Sequence, residues 1–178
     1  MASEGLAGEH AASEHLASAI IALGGNVGDV RATFRLAIID ICAQAQAKLL
    51  ARSSDYATPP WGEEQQPPFV NACIEIETAL APDALLAVLQ SVERRFGRDR
   101  SKERRWGPRT LDLDLIAYDD LALRTPTLTL PHPRVLERAF VLVPLSEIAA
   151  GRKIGGRRVK AALAELSSAG IERLPAPD

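Results

Sequence analysis

Between Phe69 and Thr78 the chain alternates between two chemically different faces, and no other stretch constrains the fold as strongly. Val70, Ala72, Ile74 and Ile76 fall on one side, while Phe69, Asn71, Cys73, Glu75 and Glu77 fall on the other. Successive strand side chains point in opposite directions, so this is a strand with one aliphatic face for a core and one mixed face. Its neighbours carry the complementary signals. Ile20-Ile21-Ala22-Leu23 reads as a short buried strand, followed by the turn Gly24-Gly25-Asn26-Val27-Gly28. Asp29 suits the N-cap of a helix whose apolar residues Val30, Phe34, Ile38 and Ile41 recur at helical spacing. A strand over 48–56 follows, ending in a Pro-rich loop to Pro68 that regular structure excludes.

After the alternating strand, Pro82 opens a helix with Leu85, Leu89, Val92 and Phe96 as its buried stripe and Gly97 at its C′ position. The next strand runs over 110–118, and Asp119-Asp120 reads as a hairpin turn into a short strand at 121–123. Residues 135–150 read as helical pieces interrupted by Pro144, and 159–167 as a last helix. The order β-α-β-β-α-β is the ferredoxin-like pattern of an α+β fold, with a largely antiparallel sheet, helices on one face and C-terminal helical additions. The other face is then open to carry a site. The expected organisation is a flexible leader over 1–18, one domain over 19–173, and a frayed tail over 174–178.

At 178 residues, 47% apolar and 25% charged, the chain has the proportions of one globular domain. Its net charge of −2 argues against a general nucleic-acid binder. The charge is uneven, however. Eight basic residues lie between Arg94 and Arg109 against only Asp99 and Glu103, a focused patch suited to a compact anion. Cys42 and Cys73 have no metal-ligand spacing and read as core residues of a protein in a reducing cytoplasm. No apolar run reaches the ~18 residues of a membrane helix, and the first 18 residues lack the basic and apolar regions of a secretion signal.

The chemistry concentrates in Arg104-Arg105-Trp106-Gly107-Pro108-Arg109-Thr110-Leu111-Asp112-Leu113-Asp114. Asp112 and Asp114 share a strand face opposite Leu111, Leu113 and Leu115. Two adjacent carboxylates repel unless neutralised, and Mg²⁺ holding a polyphosphate does this well. As the solvent side of an edge strand they would carry no function. Arg98 and Arg109 flank turns at element boundaries, where planar guanidiniums can grip phosphate oxygens. Phe69 and Asn71 set a ring beside an amide fork, a combination able to hold a flat heteroaromatic. His132 stands between two prolines and is a candidate phosphate contact or a capping group. The 24–29 turn lacks the Gly-Lys-Ser/Thr ending of a P-loop. Another metal-dependent phosphotransferase or phosphohydrolase, or an RNA-binding module on the same fold, remains open at this point.

Over residues 20–148 the chain resembles the 6-hydroxymethyl-7,8-dihydropterin pyrophosphokinase family. The resemblance rests on Arg105-Trp106-Gly107-Pro108-Arg109-Thr110-Leu111-Asp112-Leu113-Asp114, supported by Leu23-Gly24-Gly25-Asn26, Thr58-Pro59-Pro60-Trp61-Gly62, Phe69-Val70-Asn71-Ala72, Gly97-Arg98 and Leu130-Pro131-His132-Pro133-Arg134. It implies transfer of pyrophosphate from ATP to the pterin hydroxymethyl oxygen with release of AMP, in folate biosynthesis. It also implies that Asp112 and Asp114 ligate two Mg²⁺ ions, with Arg98 and Arg109 beside them in catalysis. Thr58, Pro59, Trp61, Phe69, Asn71, Phe140 and Trp106 would hold the pterin. Gln90, Glu93, Arg98, Arg100, Arg109, Thr129, His132 and Arg138 would serve ATP. The expected protein is a cytoplasmic monomer acting on small molecules, without nucleic-acid or membrane partners.

Overall fold

The computed structural model describes residues 15–60, 65–98 and 107–176. Its central strand is the alternating one, β4 (Phe69–Thr78), paired antiparallel with β1 (Ala17–Gly25) over its whole length. β1 in turn pairs with β5 (Asp112–Tyr118), also antiparallel, with a bulge between Ile20 and Ile21. On the far side of β4 lie two short strands, β2 (Lys48–Arg52) and β3 (Tyr56–Thr58). A two-residue strand near the C-terminus, β10 (Glu172–Arg173), adds to β3, so the sheet order is β10-β3-β4-β1-β5 with β2 also on β4.

The aliphatic face of the sheet meets α1 (Val30–Gln44) and α2 (Pro82–Arg95). Phe34, Ile38 and Ile41 of α1 and Leu85, Leu89 and Val92 of α2 close one core over Ile21, Leu23, Ala72, Ile74, Ile76, Leu111, Leu113 and Leu115. Asp29 caps α1 by accepting the Ala32 amide at 3.0 Å, and Gly97 follows α2 at φ +85°.

The opposite face is not left bare. The helix α3 (Ala139–Ala149) packs Val141, Leu142 and Leu145 on Ile20, Cys73 and Ile116, joined by α4 (Val159–Leu163). Helices therefore lie on both faces, and the site occupies the part of the second face in front of the α3 N-terminus.

Several local expectations need correction. The strand over 48–56 is two strands, because the Ser53 hydroxyl accepts the Cys73 amide (2.9 Å) and so breaks the ladder locally. Pro144 does not split the 135–150 region there; α3 runs through it after a 3-10 turn (Val135–Glu137). Burial of Leu142, Pro144 and Leu145 offsets the one hydrogen bond proline removes. The strand β6 (Leu123–Arg124) pairs with β7 (Thr129–Leu130) rather than folding back as a hairpin on β5. A small hairpin, β8 (Lys153–Ile154) with β9 (Arg157–Arg158), precedes α4, which is five residues long and ends well before Ser167. The ordered sheet starts at Ala17, two residues into the expected leader, and Leu174 is tied to Asp55 by an amide–carbonyl bond of 2.8 Å rather than frayed. Among the described residues no helix is long and apolar enough to cross a membrane.

Candidate active site

The two strand carboxylates emerge where three strands end. Alternation along β5 sends Leu113 and Leu115 into the first core and turns Asp112 and Asp114 to the other face, beside Ala22 and Gly24 of β1. There they line a cavity of about 270 Å³. Its opposite wall is Thr58 and Pro59 at the end of β3 and Phe69 and Asn71 at the start of β4; Arg138, Phe140 and Val141 come from the α3 N-terminus, and His132 from the preceding loop.

A buried chain of alternating charges runs behind the carboxylates. Arg98 is ion-paired with both Glu93 and Asp112, and Arg109 reaches the other Asp112 oxygen at 2.8 Å. Burial alone would raise the Asp112 carboxyl, but the charges and hydrogen bonds of Arg98 and Arg109 outweigh it and hold it below the usual range. Asp112 is therefore ionised at neutral pH. Glu93 also accepts the Leu113 amide at 2.8 Å, fastening the end of α2 to β5. Glu93, expected to serve ATP, is buried and paired with Arg98, and does not itself line the cavity.

Asp114 is more open, with Arg138 at 3.4 Å and the His132 ring Nε2 at 4.0 Å. The Arg134 amide donates to His132 Nδ1 at 3.2 Å, which leaves Nε2 as the protonated nitrogen of a neutral ring. Burial, then the nearby Arg138 charge, push the imidazole down to about 4 despite the opposing pull of Asp112. At neutral pH His132 is thus an uncharged N–H donor at the cavity.

The ring-and-amide wall is as specific. Asn71 Nδ2 donates to Thr58 Oγ1 at 2.8 Å within the protein interior, which fixes the amide with Oδ1 facing Gly24. Phe69 and Phe140 both line the cavity, and the Arg138 guanidinium lies 5.7 Å from the Phe140 ring centroid. The cavity thus joins an apolar slot with a fixed acceptor to a charged end of two carboxylates and three basic side chains.

Of the expected site residues, Thr58, Pro59, Phe69, Asn71, Arg98, Arg109, Asp112, Asp114, His132, Arg138 and Phe140 line this one cavity. Gln90 on α2 and Thr129 on β7 do not line it. Trp61, Arg100 and Trp106 lie outside the described residues. Sequence reasoning gave no individual role to Asn26, which is buried and holds Arg109 in place; its signal was membership of the Leu23-Gly24-Gly25-Asn26 motif. Gly25 belongs to the same joint, for a Cβ there would sit 2.6 Å from the Thr110 carbonyl oxygen.

Comparison with known proteins agrees with this geometry. Residues 20–150 match the sequence model of the family described as 7,8-dihydro-6-hydroxymethylpterin-pyrophosphokinase (HPPK). The chain is 48% identical over 156 residues to the 2-amino-4-hydroxy-6-hydroxymethyldihydropteridine pyrophosphokinase of Methylorubrum extorquens, covering 88% of this chain and 98% of that one. The enzymes of the same name from Bacillus subtilis (45% identity, 73% and 77% covered) and Pseudomonas aeruginosa (40%, 87% and 95%) are similar too. Among solved structures, wild-type Plasmodium falciparum HPPK-DHPS with pteroate superimposes at a TM-score of 0.67 and 12% identity, a likeness of fold. It covers 85% of this chain but only 42% of the Plasmodium chain, so this chain spans less than half that length. The chain belongs to the 7,8-dihydro-6-hydroxymethylpterin-pyrophosphokinase family, whose members transfer pyrophosphate from ATP to the hydroxymethyl group of the dihydropterin in folate biosynthesis, releasing AMP.

Proposed function

We propose that the single cavity holds both reacting groups, with the pterin between Phe69 and Phe140 and the ATP triphosphate across Asp112, Asp114, Arg98, Arg109, His132 and Arg138. The observation that carries this reading is the continuity of the wall, from a fixed amide acceptor at one end to paired carboxylates at the other. The fixed Asn71 Oδ1 accepts from a ring N–H, and so orients the pterin with its hydroxymethyl arm toward the charged end. A cavity of about 270 Å³ suits a bicyclic ring and leaves the nucleotide at its mouth.

The donor set fits Mg²⁺. Asp112 is held ionised, Asp114 faces the cavity, and two carboxylates completed by water and phosphate oxygens are the usual shell of this ion. Among the described residues no cluster of three or more His, Cys, Asp or Glu side chains offers a ready protein cage, a pattern that suits an ion whose shell is completed by water and phosphate oxygens. Two bound Mg²⁺ ions would neutralise triphosphate charge and polarise the bridging oxygens. The chain itself positions and neutralises. Arg98 and Arg109 remain charged throughout and face the oxygens on which negative charge spreads in the transition state. The His132 Nε2–H and Arg138 donate to the same group. Among the described residues no side chain on the cavity is placed as a strong general base, and orientation and electrostatics dominate.

The frame is a ferredoxin-like βαββαβ unit with C-terminal helical additions. This assignment is supported by the antiparallel order of its four principal positions, β3/β2, β4, β1 and β5. The folded unit runs from Ala17 to Pro175, two residues past each end of the expected 19–173, and acts as a monomer in the cytoplasm, consistent with two unpaired cysteines. The metal reading is tested by isothermal titration of an ATP analogue with and without Mg²⁺ against wild type and Asp114→Ala. Tight, Mg²⁺-dependent binding lost in the variant supports it; equal, metal-independent binding by both would overturn it.

A further inference from the structure

We infer that the C-terminal segment 166–175 is a positioning element for the ring-binding wall, acting through contact of Gly170 with Pro59. This rests on the reading of that wall as the pterin site. The segment lies beyond the residues 20–150 that match the family.

Three observations support it. A second cavity, about 220 Å³, shares Thr58, Pro59, Arg138 and Phe140 with the first and is lined on its other side by the C-terminal residues Leu166, Ser167, Ala169 and Ile171. The ring-binding wall is therefore a thin partition with the tail behind it. Gly170 has φ +77°, and a Cβ at that position would sit 2.8 Å from Pro59 Cγ and 3.4 Å from Cδ, so the turn rests directly on the proline ring. Finally, the tail is anchored at several points. β10 pairs with β3, with Glu172 opposite Ala57 and Arg173 opposite Tyr56. The Leu174 amide donates to Asp55 O at 2.8 Å, Arg31 Nη2 to Pro175 O at 2.7 Å, and Arg173 Nε to Ser54 Oγ at 2.8 Å.

The mechanical consequence follows from the size of β3. It is three residues long, so β4 alone would leave its outer backbone unpaired and its end free to shift. With β10 on the other edge and Gly170 against Pro59, the end of β3 is held from both sides. Thr58 is its last residue, and Thr58 Oγ1 fixes the Asn71 amide. Displacement of the tail thus passes from Gly170 to Pro59, then Thr58, then the acceptor that orients the pterin. On the ATP side Arg98, Arg109, Asp112 and Asp114 do not line the second cavity, and Arg138 alone lines both, so ATP binding is much less exposed to the tail than pterin binding.

The test uses the full chain and titrates 6-hydroxymethyl-7,8-dihydropterin and an ATP analogue separately. Gly170→Ala should weaken pterin binding about five- to tenfold, because sub-ångström misplacement of a positioning wall is costly, while ATP-analogue affinity changes less than about twofold. Gly170→Asn tolerates the left-handed backbone yet still carries a Cβ, so it should fold normally and show the same selective loss. Gly156→Ala imposes similar strain at φ +81° with nothing within 4 Å, and should leave pterin binding unchanged. In a Pro59→Ala background, adding Gly170→Asn should have little further effect. Phe69→Ala reports independently on the ring site. If it weakens pterin binding while both Gly170 variants do not, the tail has no positioning role. Equal loss of pterin and ATP affinity in the Gly170 variants, or an undiminished effect without Pro59, also overturns the inference. If Phe69→Ala leaves pterin binding intact, the ring-site reading fails, and this inference with it.

Discussion

Asn26 grips Arg109 twice: its amide donates to the Arg109 carbonyl at 2.9 Å, and its side-chain Oδ1 accepts the Arg109 amide at 2.9 Å. The same side chain donates to Gln66 Oε1 at 3.0 Å and Pro67 O at 3.1 Å, joining the turn after β1 to the loop before β4. The guanidinium of Arg109 can face Asp112 because its backbone is fixed by a residue more than eighty positions away. Asn26→Ala leaves a buried amide unpaired, at a cost of about 1–3 kcal/mol, and should lower kcat as well as melting temperature. Asn26→Asp keeps the acceptor and should retain more of kcat. Thermal melts with steady-state kinetics on both variants check this.

The two metal-site carboxylates should differ in what they do for the fold. Asp112, about a quarter exposed, neutralises the two largely buried guanidiniums of Arg98 and Arg109, whereas Asp114 is a third exposed and, among the described residues, has Arg138 at 3.4 Å. Asp112→Ala strands buried charge and should cost roughly 3 kcal/mol of stability, though Glu93 still pairs with Arg98. Asp114→Ala removes only a partly exposed ion pair and should cost no more than about 1 kcal/mol. Both should abolish AMP formation. Denaturant unfolding beside a product assay separates the two effects.

Gly25→Ala should be poorly tolerated for a reason unrelated to backbone angle. Its Cβ would lie 2.6 Å from Thr110 O and 3.2 Å from Val30 Cγ1, so the strand carrying Arg109 and Asp112 would have to move. A loss of about 1–3 kcal/mol together with a fall in kcat is expected from melts and kinetics on the purified variant.

The cysteines give a pH signature outside the active site. Cys73 is fully buried and hydrophobic burial raises its thiol far above the ordinary 9.0, whereas Cys42 is half-buried and its thiol is raised by burial too. Above about pH 9 the unfolded chain releases the Cys73 proton and the folded chain keeps it. The unfolded state is then favoured, so stability falls with rising pH by up to about 1.4 kcal/mol per unit from this group. Urea unfolding from pH 8 to 10.5 should show a shallower decline in Cys73→Ala than in wild type. Native alkylation followed by mass spectrometry should label Cys42 well before Cys73.

The sequence revealed most about elements whose periodicity left one solution. Alternation over Phe69–Thr78, the helical stripes led by Phe34 and Leu89, and the Asp112–Asp114 spacing each specify a face, and the observed packing uses those faces. What escaped depended on partners distant in the chain. Nothing local to Ser53 tells that its hydroxyl will take the Cys73 amide and split a strand. Pro144 breaks helices in isolation, but here a hydrophobic surface on both sides of it sustains α3. Arg98 was legible as a phosphate contact and Glu93 as a neighbour of ATP, but nothing local tells that the two pair with each other to form the buried base of the site. The tail over 166–175 carries no periodic signal; its role appears only where Gly170 meets Pro59.

The most direct test of the account is the identity of the nucleotide released when the purified protein turns over ATP with 6-hydroxymethyl-7,8-dihydropterin and Mg²⁺. Chromatography of the quenched reaction should show AMP and the pterin diphosphate in equal amounts, with no turnover when the pterin is omitted. Stoichiometric ADP, or AMP released without the pterin, would contradict it.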